Sequence, residues 1–502
     1  MFKSKENRKT NILLIMADQH NARCMSCAGE PLLRTPNLDR LAQEGVRFDR
    51  AYSNSAHCGP SRVCYLTGMY EHFHRRHNNT DEPPDHLNPI TSTLRHAGYQ
   101  TALIGKGHIG VHWPRREFDD LRVDTMTDAL PDDPLSCDYF RSLVESGVAD
   151  DYDLSGKWKK HPDCAVTSPL PLEHSVEVWC GNESIKYLRE RDKDKPFFAF
   201  VSFKRPHDPL TVPEPFNHMY DPDEVTVPAN ADDTFAGKSA RQKKAARGEL
   251  SYPHRPKNKE DLRRCIAYYY GLVSLIDEQI GRILAELEAE GILDETIIVY
   301  CSDHGDFVGE HGLIWKNLGI YECIHRVPLI LRYPGGLPQG EVFNGFVESV
   351  DLYPTLTDLL GIDTPNTVQG RSLLGALSGR ERWNKQAVLC NHVKEFYHMS
   401  MRTEDFRITV DITGDENELY DHRSDPGELT NRWEDRDYRE IREKLLFDLL
   451  RFRSCPPLLH GPFPKGVRPS NVPGYPCESW STAHQDIEKG IPWSTIVADR
   501  DE

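Results

Sequence analysis

The sequence predicts an α/β fold: a large, mostly parallel sheet flanked by helices, followed by a smaller C-terminal α+β subdomain. Three observations predict it. Up to about residue 380, short continuous apolar runs, of the kind a strand covered on both faces requires, alternate with stretches of helical period. Beyond that point the pattern changes to the two-residue alternation of an antiparallel strand, and then to one more helix. A chain of 502 residues also buries roughly three-quarters of its unfolded surface, enough core to fold without a disulfide or a metal.

The elements follow in order. Residues 11–17 (NILLIMA) form a buried strand that ends at Asp18-Gln19. Thr35 is the N-cap and Pro36 the first position of a helix through 37–44, closed by Gly45, and 46–53 follow as a strand. A helix over 91–97, stopped by Gly98, leads into a strand over 100–104. The same helix-then-strand unit recurs at 175–191 with 196–203, and at 261–290 with 295–301. Residues 221–259 are polar without a period and read as a long insertion or lid. In the C-terminal part, 400–412 alternate as an antiparallel strand and 438–452 have helical period. Residues 455–492 are rich in Pro, Gly and Ser and read as an extended tail. The organisation is therefore a large domain over 1–380, a small one over 381–454 and a tail over 455–502, with no internal repeat.

Composition excludes several classes of partner. With 61 Lys+Arg against 78 Asp+Glu the net charge is −17, which argues against nucleic acid, although a local basic pocket for a small anion remains compatible. The 13 cysteines are odd in number and irregular in spacing, so no secreted disulfide framework is expected. The apolar run at 12–17 is too short for a signal h-region, and no window approaches the roughly 18 apolar residues of a membrane span. The expectation is a soluble cytoplasmic protein with no membrane partner, a homo-oligomer, with a tail that is either mobile or docked on a neighbouring subunit.

Ligands of open α/β sheets bind at the carboxyl ends of the strands. Read in turn, those ends present Asp18-Gln19, Lys106-Gly-His108, Arg205-Pro-His207-Asp208 and Asp303-His304. A single Asp after a strand is an ordinary cap or turn former. Four such ends together are a constellation. The most specific segment is 58–68, CGPSRVCYLTG. Pro60 sits near a helix start, so residue 58 lies at the positive N-terminal end, where an anionic nucleophile and an oxyanion are both stabilised. Arg62, one turn on, can reach back to the same point.

This segment resembles the sulfatase signature C-x-P-S-R-x-x-x-L-T-G, whose Cys is oxidised to formylglycine. The resemblance to the sulfatase branch of the alkaline phosphatase superfamily covers roughly the first 450 residues. Residues 11–19 are similar to the family's opening strand and metal motif, and 98–108 (GYQTALIGKGH) to its G-Y-x-T-x-x-x-G-K-x-H motif. Pro206-His207-Asp208-Pro209 resembles its P-H-x-P loop. Ser302-Asp303-His304-Gly305-Asp306, then 309–313 (GEHGL) and Lys316, are similar to its second metal motif and the following lysine. Leu419-Tyr420-Asp421 with Asp425-Pro426-Gly427-Glu428 matches its closing segment. Within the family, Met16-Ala17-Asp18-Gln19 and 98–108 read much like choline-sulfatase-type members.

The resemblance implies an alkaline-phosphatase-like fold and a set of roles. Asp18, Gln19, Asp303 and His304, with residue 58, would hold one divalent cation, Ca²⁺ first on an oxygen-rich set, with Mn²⁺ and Mg²⁺ as the alternatives. One hydroxyl of the formylglycine hydrate would attack sulfur to form a covalent sulfo-enzyme. Arg62, Lys106 and Lys316 would neutralise the sulfate oxygens, His207 would act as general acid with help from Lys316, and His108 would deprotonate the second hydroxyl. Asn79 is a candidate sulfate contact or a turn former. A formylglycine-generating maturation enzyme is the implied partner and a sulfate monoester the implied substrate. The alternative is a phosphonate monoester hydrolase or phosphodiesterase using the same formylglycine. Lys106-x-His108 favours the sulfatase, because all three non-bridging oxygens of a monoester need neutralising.

Other motifs read as structural. Cys24-x-x-Cys27 has no second pair. Cys64, Cys301 and Cys323 read as small core residues. His72, His74 and His77 read as a solvated loop, and Tyr268-Tyr269-Tyr270 as helix packing. Residues 114–170 and 221–259 carry no readable motif for the alcohol.

Overall fold

The computed structural model describes residues 10–454 apart from 126, 131–132, 153–163, 250–254, 317, 319–320, 393–396 and 413–415. Its strands are β1 (Asn11–Asp18), β2 (Val46–Phe48), β3 (Ala51–Tyr52), β4 (Gln100–Gly105), β5 (Asp120–Val123) and β6 (Ala165–Thr167). Then come β7 (Phe197–Pro206), β8 (Leu210–Val212), β9 (Thr296–Cys301), β10 (Leu329–Arg332), β11 (Glu341–Phe343) and β12 (Val347–Glu348). Eight of them form one sheet in the order β11-β2-β10-β9-β1-β7-β4-β5. The strands β9, β1, β7, β4 and the edge strand β5 are all parallel.

The apolar run of β1 has the cause the sequence suggests. Ile12, Leu14 and Met16 face one core with Phe198, Phe200 and Val299, while Leu13, Ile15 and Ala17 face another with Ala199, Val201 and Ile298. The second face is covered by the helices Val176–Glu190 and Lys259–Ala289. Each fully buried Leu or Ile contributes about 1.5–3 kcal/mol of transfer free energy, so both layers are needed to hold the sheet.

The C-terminal subdomain is an antiparallel sheet of β13 (Ala387–His392), β14 (His398–Thr403), β15 (Phe406–Asp411) and β16 (Glu418–Asp421). One face carries Leu389, Met401, Ile408 and Leu419 against Leu445, Leu449 and Phe452 of the helix Arg439–Ser454. Cys64 and Tyr70 join the same cluster, so the subdomain supports the back of the helix Cys58–Thr67.

Several expectations need correction. Residues 46–53 make two strands, not one: β2 stays in the main sheet, while β3 pairs with β12 after the break at Asp49-Arg50. Residues 400–412 belong to a hairpin rather than a single strand. The turn at Glu404-Asp405 shifts the alternation by one residue, so Met399 and Met401 on one arm face the core with Phe406, Ile408 and Val410 on the other. Thr35 occupies the N-cap position of the helix Pro36–Gln43, but its hydroxyl pairs with Ser26 instead of capping. The stretch 221–259, read as an insertion or lid, is packed along part of its length: Phe235, Lys238, Gln242 and Ala245 are buried. Lys238 bonds Asp233, Tyr321 and the Glu428 carbonyl there. His72 and His74 are packed rather than solvated, His74 fully so against Cys64, and His77 pairs with Glu71. The tail over 455–502 lies outside the described residues. Among the described residues no helix is long and apolar enough to cross a membrane.

Candidate active site

The four strand ends picked out by the sequence belong to β9, β1, β7 and β4, which are neighbours in the sheet and parallel. Their carboxyl ends therefore lie side by side. Pairing between β1 and β7 shifts register at Ala17/Asp18, and Gln19 adopts a left-handed backbone (φ 67°). Tyr269 Oη donates to the Gln19 carbonyl at 2.7 Å and accepts from Asn21 N at 2.9 Å.

The helix Cys58–Thr67 is buried along its whole length and docks on the end of β9. Ser61 Oγ donates to the Asp303 carbonyl and Tyr65 Oη to that of Ser302. Gly59 is required by close approach, since a Cβ there would lie 2.9 Å from the Arg76 guanidinium and 3.0 Å from Asn79 Oδ1. Asn79 Oδ1 accepts from Gly59 N at 2.8 Å, so its carbonyl serves the start of this helix.

At the helix start, Asp18, Cys58, Asp303 and His304 bring their ligand-type atoms within 4.8 Å of one another, all four side chains buried. Cys58 Sγ lies 3.2 Å from His304 Nε2 and 3.8 Å from Asp18 Oδ1. Lys316 Nζ is 2.9 Å from Cys58 Sγ and 2.8 Å from His304 Nε2, so an ammonium rests between two of these groups. Lys106 Nζ is 2.5 Å from Asp18 Oδ2. Arg62 does not reach toward residue 58. It lies behind the carboxylates, donating Nε to Asp303 and Nη2 to Asp18, both at 2.9 Å, with Nη1 on the Lys106 carbonyl and Ser202 Oγ.

Electrostatics follow from this crowding. Burial pushes the Asp18 carboxyl up, but Lys106, His207, Arg62 and Lys316 hold it well below the usual range. Burial and Asp18 push the Cys58 thiol up, while Lys106, Lys316 and His304 outweigh them and bring it to about 7. His108 is kept well below an ordinary imidazole by burial and by the Lys106 and Arg62 charges. Its backbone is left-handed (φ 52°) and its loop is pinned by Asp128, which accepts from Gly107 N and His108 N at 2.9 and 2.8 Å. His207 Nδ1 donates to the Asp208 carbonyl at 2.7 Å, and its Nε2 stands 4.0 Å from Asp18 Oδ1. Arg205 ties that loop shut through the His207 carbonyl and Thr211 Oγ1.

A family model described as Sulfatase matches residues 10–362, and one described as N-sulphoglucosamine sulphohydrolase, C-terminal, matches residues 309–454. The chain belongs to the sulfatase family. It is 33% identical over 455 residues to an arylsulfatase of Clostridium perfringens, covering 86% of this chain and 92% of that protein. It is 31% identical over 520 residues to an N-acetylglucosamine-6-O-sulfatase of Bacteroides thetaiotaomicron, covering 88% and 86% respectively. Among solved structures it is similar to the phosphonate monoester hydrolase of Agrobacterium radiobacter, with a TM-score of 0.73 and 27% identity over 89% of this chain and 96% of that one. Family and relatives make this sulfatase a hydrolase of sulfuric esters with the alkaline-phosphatase-like architecture.

Sequence reasoning missed the residues that hold this sulfatase site from behind. Asp128 lies in a stretch without a readable motif, Tyr269 passed as helix packing, and Asp306 stood in the Asp303–Asp306 motif with no role. Asp306 accepts from Gln19 Nε2 at 2.6 Å, and only the fold brings these two residues together.

Proposed function

We propose that this chain hydrolyses a sulfate monoester with residue 58 as nucleophile, after a maturation enzyme has converted Cys58 to formylglycine, and with one divalent cation, Ca²⁺ before Mn²⁺ or Mg²⁺. The observation that carries the reading is the convergence of Asp18, residue 58, Asp303 and His304 on one buried point flanked by Lys106 and Lys316. The donors suit such an ion. Two carboxylates are hard oxygen ligands, and Gln19 Oε1 is buried without a hydrogen-bond donor. His304 donates Nδ1–H to the Gly305 carbonyl, which leaves Nε2 with its lone pair.

When bound, the cation supplies Lewis acidity to the sulfate oxygens and lowers the pKa of a hydroxyl on residue 58. As a formylglycine hydrate, residue 58 would offer one hydroxyl for attack on sulfur with loss of the alcohol, and a second whose deprotonation would release sulfate and restore the aldehyde. The chain's own side chains do the rest. Lys106 and Lys316 set positive charge against the non-bridging oxygens in a pocket that excludes water. Arg62 keeps both carboxylates charged and at a fixed spacing, so its part is positioning. His207, its Nδ1–H committed to a carbonyl, presents Nε2 to carry a proton to the departing alcohol. His108, held neutral by burial and by its cationic neighbours, accepts the proton of the second hydroxyl.

Phosphonate monoester hydrolysis is the second reading, favoured by the two phosphonate monoester hydrolase structures that align at TM-scores of 0.73 and 0.74. Lys106-x-His108 argues for the sulfate. Rates on aryl, choline and sugar sulfates beside a phosphonate monoester decide between them, and a phosphonate preference overturns the first reading. Mass spectrometry of the peptide around Cys58, from a host with a maturation enzyme, is expected to show the aldehyde. Cys58→Ala is expected to abolish turnover while leaving Tm nearly unchanged. Full activity with unmodified Cys58 would sink the mechanism.

A further inference from the structure

The side chain of Gln19 has a direction, and that direction is imposed from outside the site. An amide has one accepting and one donating end, nearly equal in shape. Gln19 donates Nε2–H to Asp306 Oδ2 at 2.6 Å, which leaves Oε1 buried and without a donor. Asp306 is itself fixed. Its Oδ1 accepts from Val308 N at 2.8 Å and Trp315 N at 3.1 Å, and its carbonyl accepts from Asn21 Nδ2 at 2.7 Å. The Gln19 backbone is held as well, with its N–H on Asp303 Oδ1 at 3.0 Å and its carbonyl on Tyr269 Oη. The flip that would exchange the amide oxygen for NH₂ is opposed, among the described residues, by Asp306.

We infer that Asp306 is the positioning residue that turns the Gln19 carbonyl oxygen toward a bound divalent cation. It touches neither ion nor substrate and acts only through Gln19. The inference rests on reading the site as a divalent-cation centre. Its physical content lies in hydrogen-bond polarity: in Asp306→Asn, Oδ1 keeps the two backbone N–H groups, so the new NH₂ faces residue 19. Two NH₂ groups cannot donate to each other. The Gln19 amide must flip, and it then offers the cation a donor instead of an acceptor. Adding Gln19→Glu repairs this, because a carboxylate at position 19 accepts from the new NH₂ with one oxygen and keeps the other for the ion. The double variant Gln19→Glu/Asp306→Asn has the same heavy-atom shape and the same net charge as the wild-type pair.

The test is Ca²⁺ titration by calorimetry on the full chain, with Mn²⁺ and Mg²⁺ as parallel arms, so the readout is affinity rather than turnover. The wild type is expected to bind one Ca²⁺. Asp306→Asn is expected to weaken binding by about tenfold to a hundredfold, the range for loss of an orienting partner behind a metal ligand. Gln19→Glu/Asp306→Asn is expected to bind within about threefold of the wild type, or tighter. Binding by Asp306→Asn as tight as the wild type overturns the inference and leaves the cation reading standing. A double variant as weak as the single one also overturns it, since the loss is then structural. A wild type that binds none of the three ions removes the cation reading and this assignment together.

Discussion

Two buried clusters in this molecule hold the same kinds of side chain and differ in what answers them. One is Asp18, Cys58, Asp303 and His304 at the carboxyl ends of the central strands β1 and β9; the other is Glu322, in the helix Glu322–His325, with His422 and Glu428, which follow β16 of the small sheet. In the second, every carboxylate oxygen already has a donor. Glu428 Oε1 accepts from Arg407 and from His422 Nε2, and Oε2 from Glu322 N. Glu322 accepts from Tyr52 Oη and Arg402. In the first, Arg62 stands behind the carboxylates, so Asp18 Oδ1 has no partner nearer than 3.8 Å and Gln19 Oε1 has none. The first cluster has Lys316 between two of its groups and still keeps oxygens of Asp18 and Gln19 open to an ion. In the second the donors take every carboxylate oxygen, and the result is a joint between the large and small sheets' segments.

The sharpest way to break this comparison is to remove the arginine from each cluster. Arg62→Met and Arg407→Met each strand buried carboxylate charge, and each is expected to cost about 3–5 kcal/mol in the presence of a chelator. Saturating Ca²⁺ is expected to restore much of the loss in Arg62→Met, by binding the folded state, and none in Arg407→Met. Melting curves with chelator and with Ca²⁺ check this. An equal Ca²⁺ response in the two variants would erase the distinction.

The next effect is smaller and belongs to the joint alone. Burial pushes the Glu428 carboxyl up, yet Arg407 and His422 hold it well below its ordinary value. A depressed folded pKa means the unfolded chain binds the proton more readily. The contribution is therefore whole above the unfolded value of about 4.3 and is lost as pH falls through the folded one. Glu428→Gln is expected to be less stable than the wild type near pH 6, and the gap in Tm should close toward pH 3. A gap that stays constant with pH would show that charge at Glu428 does not hold the joint.

What the sequence made legible follows the same division. The parallel sheet, its helices and the strand-end residues were readable because burial on both faces writes itself into 11–17, 196–203 and 295–301 as unbroken apolar runs. Cys58, Lys106, His207, Asp303 and Lys316 were named because they stand in short local motifs that resemble the sulfatase family's, and the fold brings them to one end of the sheet. Arg62 was named but given the wrong direction, since a side chain's reach within its own helix says nothing of carboxylates arriving from β1 and β9. Asp306 with Gln19, Asp128 with His108 and Tyr269 with Gln19 are contacts across tens to hundreds of residues, and no local period encodes them. The turn at Glu404-Asp405 is a different case: the core-facing positions pass from odd numbers (Met399, Met401) to even ones (Phe406, Ile408, Val410), a change of phase that was read through as one continuous strand.

The smallest expected effect sharpens the comparison at a single residue on the border of the site. Asn79 was a candidate sulfate contact, and the fold puts its Oδ1 on Gly59 N, at the start of a helix whose N-cap residue His57 makes no side-chain cap bond. An acceptor there answers one of the free N–H groups of the helix, so Asn79→Ala is expected to cost about 1 kcal/mol. Asn79→Asp keeps the acceptor and is expected to recover that stability. A cap and a substrate contact then separate by readout. A cap lowers Tm with KM unchanged, whereas a sulfate contact raises KM with Tm unchanged, and Asn79→Asp would worsen it by adding negative charge beside an anion. If Asn79→Ala leaves Tm where it was and raises KM, the residue belongs to the substrate, and the support behind residue 58 is thinner by one group.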